Sequence, residues 1–217
     1  MSDVIYISNG RLSFPHITEP QKQVSPETGK ERISYNCELI LAPNDPGFAQ
    51  FMVKVSEMAG IKWKEHSQQV LQMVNADRKL RCYGSGNEKI NKKTFVPYDG
   101  YKDAVYITCG RDTPPQIIQA DGKPIDPANT GAYQALTRAM YGGCYVHAAV
   151  KPWLQENKFG RGVRCDLVAL QFAKDGEAFG EGAIDASPMF GAVAGAPAGF
   201  GAPSPAGMSL PPFMMPK

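Results

Sequence analysis

Between Arg78 and Lys93 the sequence RKLRCYGSGNEKINKK carries six basic side chains (Arg78, Lys79, Arg81, Lys89, Lys92 and Lys93) against one acid, Glu88. Tyr83 lies inside this run, and Tyr98, Tyr101 and Tyr106 follow it. Cations hold phosphates and flat rings stack on unpaired bases, so basic residues mixed with aromatics near flexible glycines supply the chemistry of a single-stranded nucleic-acid groove. The same composition also fits a solvated loop whose tyrosines pack inward, and composition does not separate the two. The net charge of +2 is weak evidence for a polyanionic partner; its clustering says more.

Other chemistries find little support. Gly84-Ser85-Gly86-Asn87-Glu88-Lys89 has neither the spacing of a Walker loop nor that of a dinucleotide fingerprint, because Lys89 stands where the third glycine belongs. There is no G-x-S-x-G, no H-E-x-x-H and no acidic cluster suited to two metal ions. His147 could act as a base for Cys144 or Cys165, but a histidine on a strand face is far more often a hydrogen-bonded surface residue. Glu156 and Asp166 are lone carboxylates. The five cysteines (Cys37, Cys82, Cys109, Cys144 and Cys165) are scattered without a C-x-x-C pair and read as buried free thiols of a reducing compartment. The expectation is no catalysis, no cofactor and no metal.

The elements that must position the cations and rings are mostly strands. Ile33–Ala42 alternates, with Ile33, Tyr35, Cys37, Leu39 and Leu41 on one face and Ser34, Asn36 and Glu38 on the other. Asp103–Gly110 places Val105, Ile107 and Cys109 inward and Tyr106 and Thr108 outward. Gly143–Trp153 puts Cys144, Val146, Ala148 and Val150 on one face and Tyr145, His147, Lys151 and Trp153 on the other, with Pro152 turning the strand out of the sheet. Val4–Ile7 and Arg11–Phe14 read as a hairpin around Asn9-Gly10, and Pro20–Lys30 as a polar loop. Gln116–Asp126 reads as a strand with a turn at Asp121-Gly122. Val163–Phe172, apolar on both faces, suits a buried barrel strand or a bulge.

Asp45 and Pro46 start a helix that Gly60 ends, and a second helix runs from Trp63 or Lys64 to about Asn75. No apolar run approaches the roughly 20 residues that span a bilayer, and the N-terminus does not read as a signal peptide. From residue 181 the chain is rich in Gly, Ala and Pro and nearly free of charge, and it reads as a disordered tail behind a folded domain of residues 1–180.

The run Ala139-Met140-Tyr141-Gly142-Gly143-Cys144-Tyr145-Val146, then Phe159-Gly160-Arg161-Gly162-Val163, Leu167–Phe172 and Gly176-Glu177-Ala178-Phe179-Gly180, resembles a family of tailed-phage single-stranded DNA-binding proteins. Asn9–Phe14 is similar to the family's opening. The resemblance covers most of residues 1–180 and is densest from Tyr141 to Gly180. It implies a mainly β fold with α insertions: a five-stranded Greek-key OB barrel, related to T7-type phage single-stranded DNA-binding proteins, with an extra hairpin and helices. It implies coating of single-stranded DNA during replication, recombination and repair in the cytoplasm of an infected bacterium, and contact with phage or host replication proteins through the tail. The tail departs from the acidic, aromatic-ended type and closes on Phe213-Met214-Met215 before Pro216-Lys217.

From strand faces and the basic run, the expected phosphate contacts are Arg78, Lys79, Arg81, Lys89, Lys92, Lys93, Arg111 and Lys151. The expected stacking rings are Tyr83, Tyr98, Tyr101, Tyr106, Tyr145 and Trp153. Two or three of the six belong to the core, and Tyr106 and Tyr145 are the best placed of the set. A virion-assembly protein and a small nuclease are the rival readings, with an oligosaccharide-binding barrel a weaker third. A weak homo-oligomer is compatible with all of this; a membrane is not.

Overall fold

One long strand organises the chain. Strand β1, Ile5–Val24, runs antiparallel first to β6 (Tyr145–Asn157) and then to β2 (Glu31–Leu41). The expected hairpin at Asn9-Gly10 is therefore a bulge: the register slips between Ile7 and Gly10, and Asn9 takes a φ of 54°. A turn there would pair Arg11–Phe14 with Val4–Ile7 and leave β2 and β6 without their ladders, so the long-range pairing prevails over the local turn signal. The strand also runs through Pro20 to Val24, where a loop was expected. The computed structural model describes residues 3–24, 29, 31–126, 128–158 and 160–180. The Gly/Ala/Pro-rich tail, with the docking role expected of it, and Phe159 lie outside the described residues.

Seven strands form one sheet in the order β3 (Tyr83–Ser85), β4 (Val105–Arg111), β2, β1, β6, β7 (Gly160–Lys174), β5 (Gln116–Ile118). All neighbours are antiparallel except β5, which lies parallel to β7. The fold is mainly β with helices, and the sheet is not closed into a barrel, where a closed five-stranded barrel was expected. A short piece of chain bridges β4 and β7 instead: the Thr108 amide donates to the Cys82 carbonyl (2.6 Å) and the Val163 amide to the Leu80 carbonyl (2.8 Å). Gly162 permits this approach, since a Cβ there would lie 2.7 Å from the Leu80 oxygen.

The alternating strands bury the expected faces except at Ile33, which is 41% exposed, and at Tyr35 and Val105, which are half-buried. Cys37, Leu39, Leu41, Ile107, Cys109, Val146, Ala148 and Val150 are all in the core. The five cysteines are free and buried. On β7 the register slips so that Ala149 faces Ala169 and Val150 faces Leu167, which leaves Val168 as the extra residue of a bulge. Pro152 does not end β6; it stays in register with Cys165.

Helix α1 (Pro46–Trp63) is capped by Asp45, whose Oδ1 accepts from the Phe48 amide at 3.0 Å, and it buries Phe51, Val55, Ala59 and Trp63. It continues past Gly60. After one 3-10 turn, α2 (Ser67–Ala76) buries Val70 and Val74. A third helix, α3 (Thr130–Ala139), was not foreseen; Asn129 caps it through the Ala132 amide at 3.1 Å. Among the described residues, no helix is long and apolar enough to cross a membrane.

Burial pushes the thiols of Cys82 and Cys144 up to about 12 and about 11, and the phenols of Tyr83 and Tyr133 up to about 12. Each is an acid whose neutral form the fold favours. Its contribution is complete below the unfolded pKa, about 8.5 for a thiol and 10 for a phenol, and is lost as pH rises through the folded value. The thermal midpoint is therefore expected to hold to about pH 8.5 and to fall steeply above it. Melting curves across this range check it, and a midpoint unchanged at about pH 11 contradicts the assignment.

Candidate nucleic-acid interface

Because β2 alternates, its outer face presents Arg32, Ser34, Asn36 and Glu38 behind the buried Cys37, Leu39 and Leu41. Beside them β4 presents Thr108 and Gly110. Together with Arg78, Arg81, Lys89, Trp153 and Arg164 they line an open groove of about 410 Å³. On the floor, the Asn36 amide donates to Gln21 Oε1 (3.3 Å) and to the Ser34 carbonyl (3.2 Å). The Glu38 carboxylate accepts from Thr108 Oγ1 (3.1 Å), the Tyr101 hydroxyl and the Lys89 ammonium.

The walls carry the charge. Arg164 Nε donates to Gln155 Oε1 and its Nη2 to the Lys79 carbonyl, both at 3.0 Å, so β7 is tied to the bridging segment through a guanidinium. Trp153 is held upright by Asp166, whose Oδ1 accepts from the indole N–H at 2.8 Å, and the ring is 38% exposed. Arg78 reaches the Glu88 carbonyl with one nitrogen (3.0 Å) and is otherwise exposed. Among the described residues, Arg32, Arg78 and Arg164 form no ion pair. Arg32 and Arg78 are thus exposed cations open to anions, Arg164 adds a half-buried positive charge that no acid among the described residues neutralises, and one indole is open for stacking.

Of the residues expected from sequence, the groove gathers Arg78, Arg81, Lys89, Tyr106 and Trp153. Three of the rings are nevertheless corrected to packing roles. Tyr106 does face away from Ile107 and Cys109, but it is 2% exposed, because the 86–104 segment folds over it with Tyr101 and Lys89. Tyr101 is fully buried, and Tyr83 packs on Phe51 while its hydroxyl donates to Asn75.

Two cations are likewise committed internally. Arg81 donates to the Asn75 and Tyr83 carbonyls and pairs with Glu88 at 2.7 Å. Lys89 is buried on Glu38, and burial pushes its ammonium below the ordinary value while Glu38 pulls the other way. Lys79 is exposed outside the groove. Lys92, Lys93 and Tyr98 lie in the 86–104 segment, away from the groove. Tyr145, under the Lys174 ammonium at 4.7 Å, and Lys151 sit on the outer face of β6, beyond the groove's lining. Arg111 follows Cys109 on the inward face of β4, where its Nε has no partner.

Sequence reasoning missed Arg32 and Arg164. Arg32 extends the Ser34-Asn36-Glu38 alternation by one step, which was a readable signal. Arg164 stands alone between buried Val163 and Cys165, and only the fold brings it to the groove. His147 stacks on Tyr6 on the outer face of β6 (ring centroids 5.7 Å apart), whereas Cys144 and Cys165 are in the core, so no His–Cys couple forms.

The glycine motifs of the C-terminal half are a brace rather than a binding loop. Gly143 has a φ of 112°, and the Tyr141 hydroxyl donates to the Gly176 carbonyl at 2.8 Å. The Phe179 amide donates to the Gly142 carbonyl at 2.9 Å, and Arg11 clasps the Glu177 carbonyl at 2.8 Å while lying 4.3 Å over the Phe179 ring. The two motifs therefore fold onto each other and onto β1.

Comparison with known proteins places this arrangement. A protein designated p50 of Acyrthosiphon pisum secondary endosymbiont phage 1 is 26% identical over 182 residues, 83% of this chain and 88% of that protein. The single-stranded DNA-binding protein from bacteriophage Enc34, in complex with ssDNA, matches with a TM-score of 0.60 at 19% identity, over 82% of this chain and 90% of that one. A C-terminal truncation of the same Enc34 protein matches at 0.56 and 21% identity, over 82% and 89%. Residues 3–198 match the family model described by the ssDNA-binding protein of Enterobacter phage Enc34. The chain belongs to the Enterobacter phage Enc34 single-stranded DNA-binding protein family.

Proposed function

We propose that the chain binds single-stranded DNA along the β2–β4 groove and coats it, without catalysis and largely without sequence preference, during phage DNA replication, recombination and repair. The observation that carries this reading is the groove itself: the exposed Arg32 and Arg78 and the half-buried Arg164, none in an ion pair among the described residues, stand around a polar floor, with the Trp153 ring 38% exposed. The floor offers polar groups, with Glu38 already paired to Lys89, while the cations stand at the rim, so the backbone follows the arginine rim and the bases point inward toward Ser34, Asn36 and Thr108. Every base has a flat face and can use Trp153, which is why little sequence preference is expected.

The OB assignment belongs to the same proposal. What supports it is the strand order β4-β2-β1-β6-β7, with β4 and β7 bridged through Leu80–Cys82, which fits the Greek-key order of a partly open OB barrel. In such folds the face of the second and third strands and the loops beside it hold oligonucleotides, and the groove lies on the corresponding β2–β4 face. A folded domain of residues 1–180 and a tail of residues 181–217 that reaches replication proteins complete the proposal, with the host cytoplasm as the site of action.

Fluorescence anisotropy with a poly-dT strand of about 30 bases, longer than the ~4–16 nucleotides an OB fold covers, tests it against an equal duplex. Binding to the single strand alone is expected, with log K falling against log salt at a slope of roughly −2 to −3.5 for three to five phosphate contacts. Folded protein that fails to bind at low salt would bring the virion-assembly reading forward.

A further inference from the structure

The 86–104 segment has a second side. There it forms, with β1, a cleft of about 690 Å³ lined by Phe14, Val96, Tyr98 and Tyr101, with Phe95 neighbouring it in the chain. Phe14 is 46% exposed, Phe95 80%, Val96 55% and Tyr98 36%. Phe14 and Phe95 also occupy the left-handed backbone region, with φ of 45° and 58°, which bulky side chains avoid. Both are displayed to solvent rather than buried, so packing of the ring does not account for the strain, and such outliers point to function. The Phe14 and Tyr98 rings meet edge to face, 5.4 Å apart at 87°, and form a corner into which a flat ring fits.

Charge decides what fits there. The turn closed by the Phe95 amide on the Asn91 carbonyl (2.8 Å) carries Lys92 and Lys93 between the lining residues Asn91 and Thr94, both exposed and in no ion pair among the described residues. Asp99, the acid in the lining, accepts from the Gly180 amide at 3.3 Å. Rings beside unpaired cations suit bases and phosphates; an apolar peptide would use the rings alone. The cleft also adjoins the groove. Tyr101 lines the cleft, Lys89 lines the groove, and Glu38 accepts hydrogen bonds from both, so a single layer of side chains separates the two.

We propose that this cleft is a second base-binding subsite, in which Phe14, Phe95 and Tyr98 stack on unpaired bases and Lys92 and Lys93 hold phosphates, extending the path of a strand that leaves the groove over Lys89. This rests on the groove reading above. The test is the Phe14→Gly, Phe95→Gly double variant, titrated with oligothymidylates of about 6 and about 20 nucleotides, which bracket an OB footprint of ~4–16.

The short strand, which the groove holds, is expected to bind as in wild type, and the long strand about 10-fold or more weaker. Glycine relieves both strained positions, so the thermal midpoint is expected to stay level or rise, which separates lost stacking from lost fold. A Lys92→Gln, Lys93→Gln pair flattens the salt slope by about 1.4 for the long strand alone. Variants that match wild type on both strands, or that lose affinity equally on both, overturn the second subsite and leave the groove standing. Wild-type protein that binds neither strand overturns the groove, and the subsite with it.

Discussion

Replacing Arg32, Arg78 and Arg164 together by glutamine is expected to weaken binding to poly-dT roughly 100-fold or more at about 50 mM salt, with the gap closing toward about 1 M. Each phosphate contact on a single strand contributes about 0.7 to the salt slope, so three lost contacts flatten it by about 2. These three are chosen because they surround one groove without ion-pair partners, unlike Arg81 and Lys89, whose charges Glu88 and Glu38 already occupy. Arg164 also ties Gln155 to the Lys79 carbonyl, so a modest drop in melting temperature accompanies its loss. Arg164→Lys in the same background restores the charge but not the fork, and separates the two effects. An unchanged slope in the triple variant would place the strand elsewhere.

The second large effect concerns stability. Gly143→Ala is expected to cost roughly 3–4 kcal/mol, the sum of a left-handed backbone that alanine resists and an overlap that cannot relax. A Cβ at Gly143 would lie 2.1 Å from the Glu177 carbonyl oxygen and 2.9 Å from the Ala178 Cα, both main chain. The segment cannot retreat freely, because Tyr141, Gly142 and Arg11 all hold it by hydrogen bonds. Urea unfolding measures this directly, and a loss under about 1 kcal/mol would show that the brace yields. The groove is built from other residues, so DNA affinity per folded molecule should be preserved.

How much of this was legible depends on the range over which each feature is decided. The alternation of β2, β4 and β6 reports a sheet with one buried face, and the inward residues follow from it directly. Asp45 and Pro46 mark the start of α1 because a cap is a local hydrogen bond. Asn9-Gly10 carries an equally local turn signal, yet the segments on either side find better partners far away in sequence. The side of Tyr106 was readable, but its exposure was not, since the residues that cover it come from an insertion some twenty residues long. The basic run misled in the same way. Its charges are close in sequence, but Arg81 and Lys89 turn inward to acids, while the open rim is assembled from Arg32, Arg78 and Arg164 on three separate parts of the chain.

The Glu38–Lys89–Tyr101 layer has a consequence for supply. Covering DNA is a stoichiometric task, and the number of copies needed per genome is its length divided by the nucleotides each copy occupies. By closing over part of the β2–β4 face, this layer shortens the uninterrupted track on each molecule. Whether a strand stops at it or passes over it sets how many copies an infected cell must make before exposed DNA is fully covered.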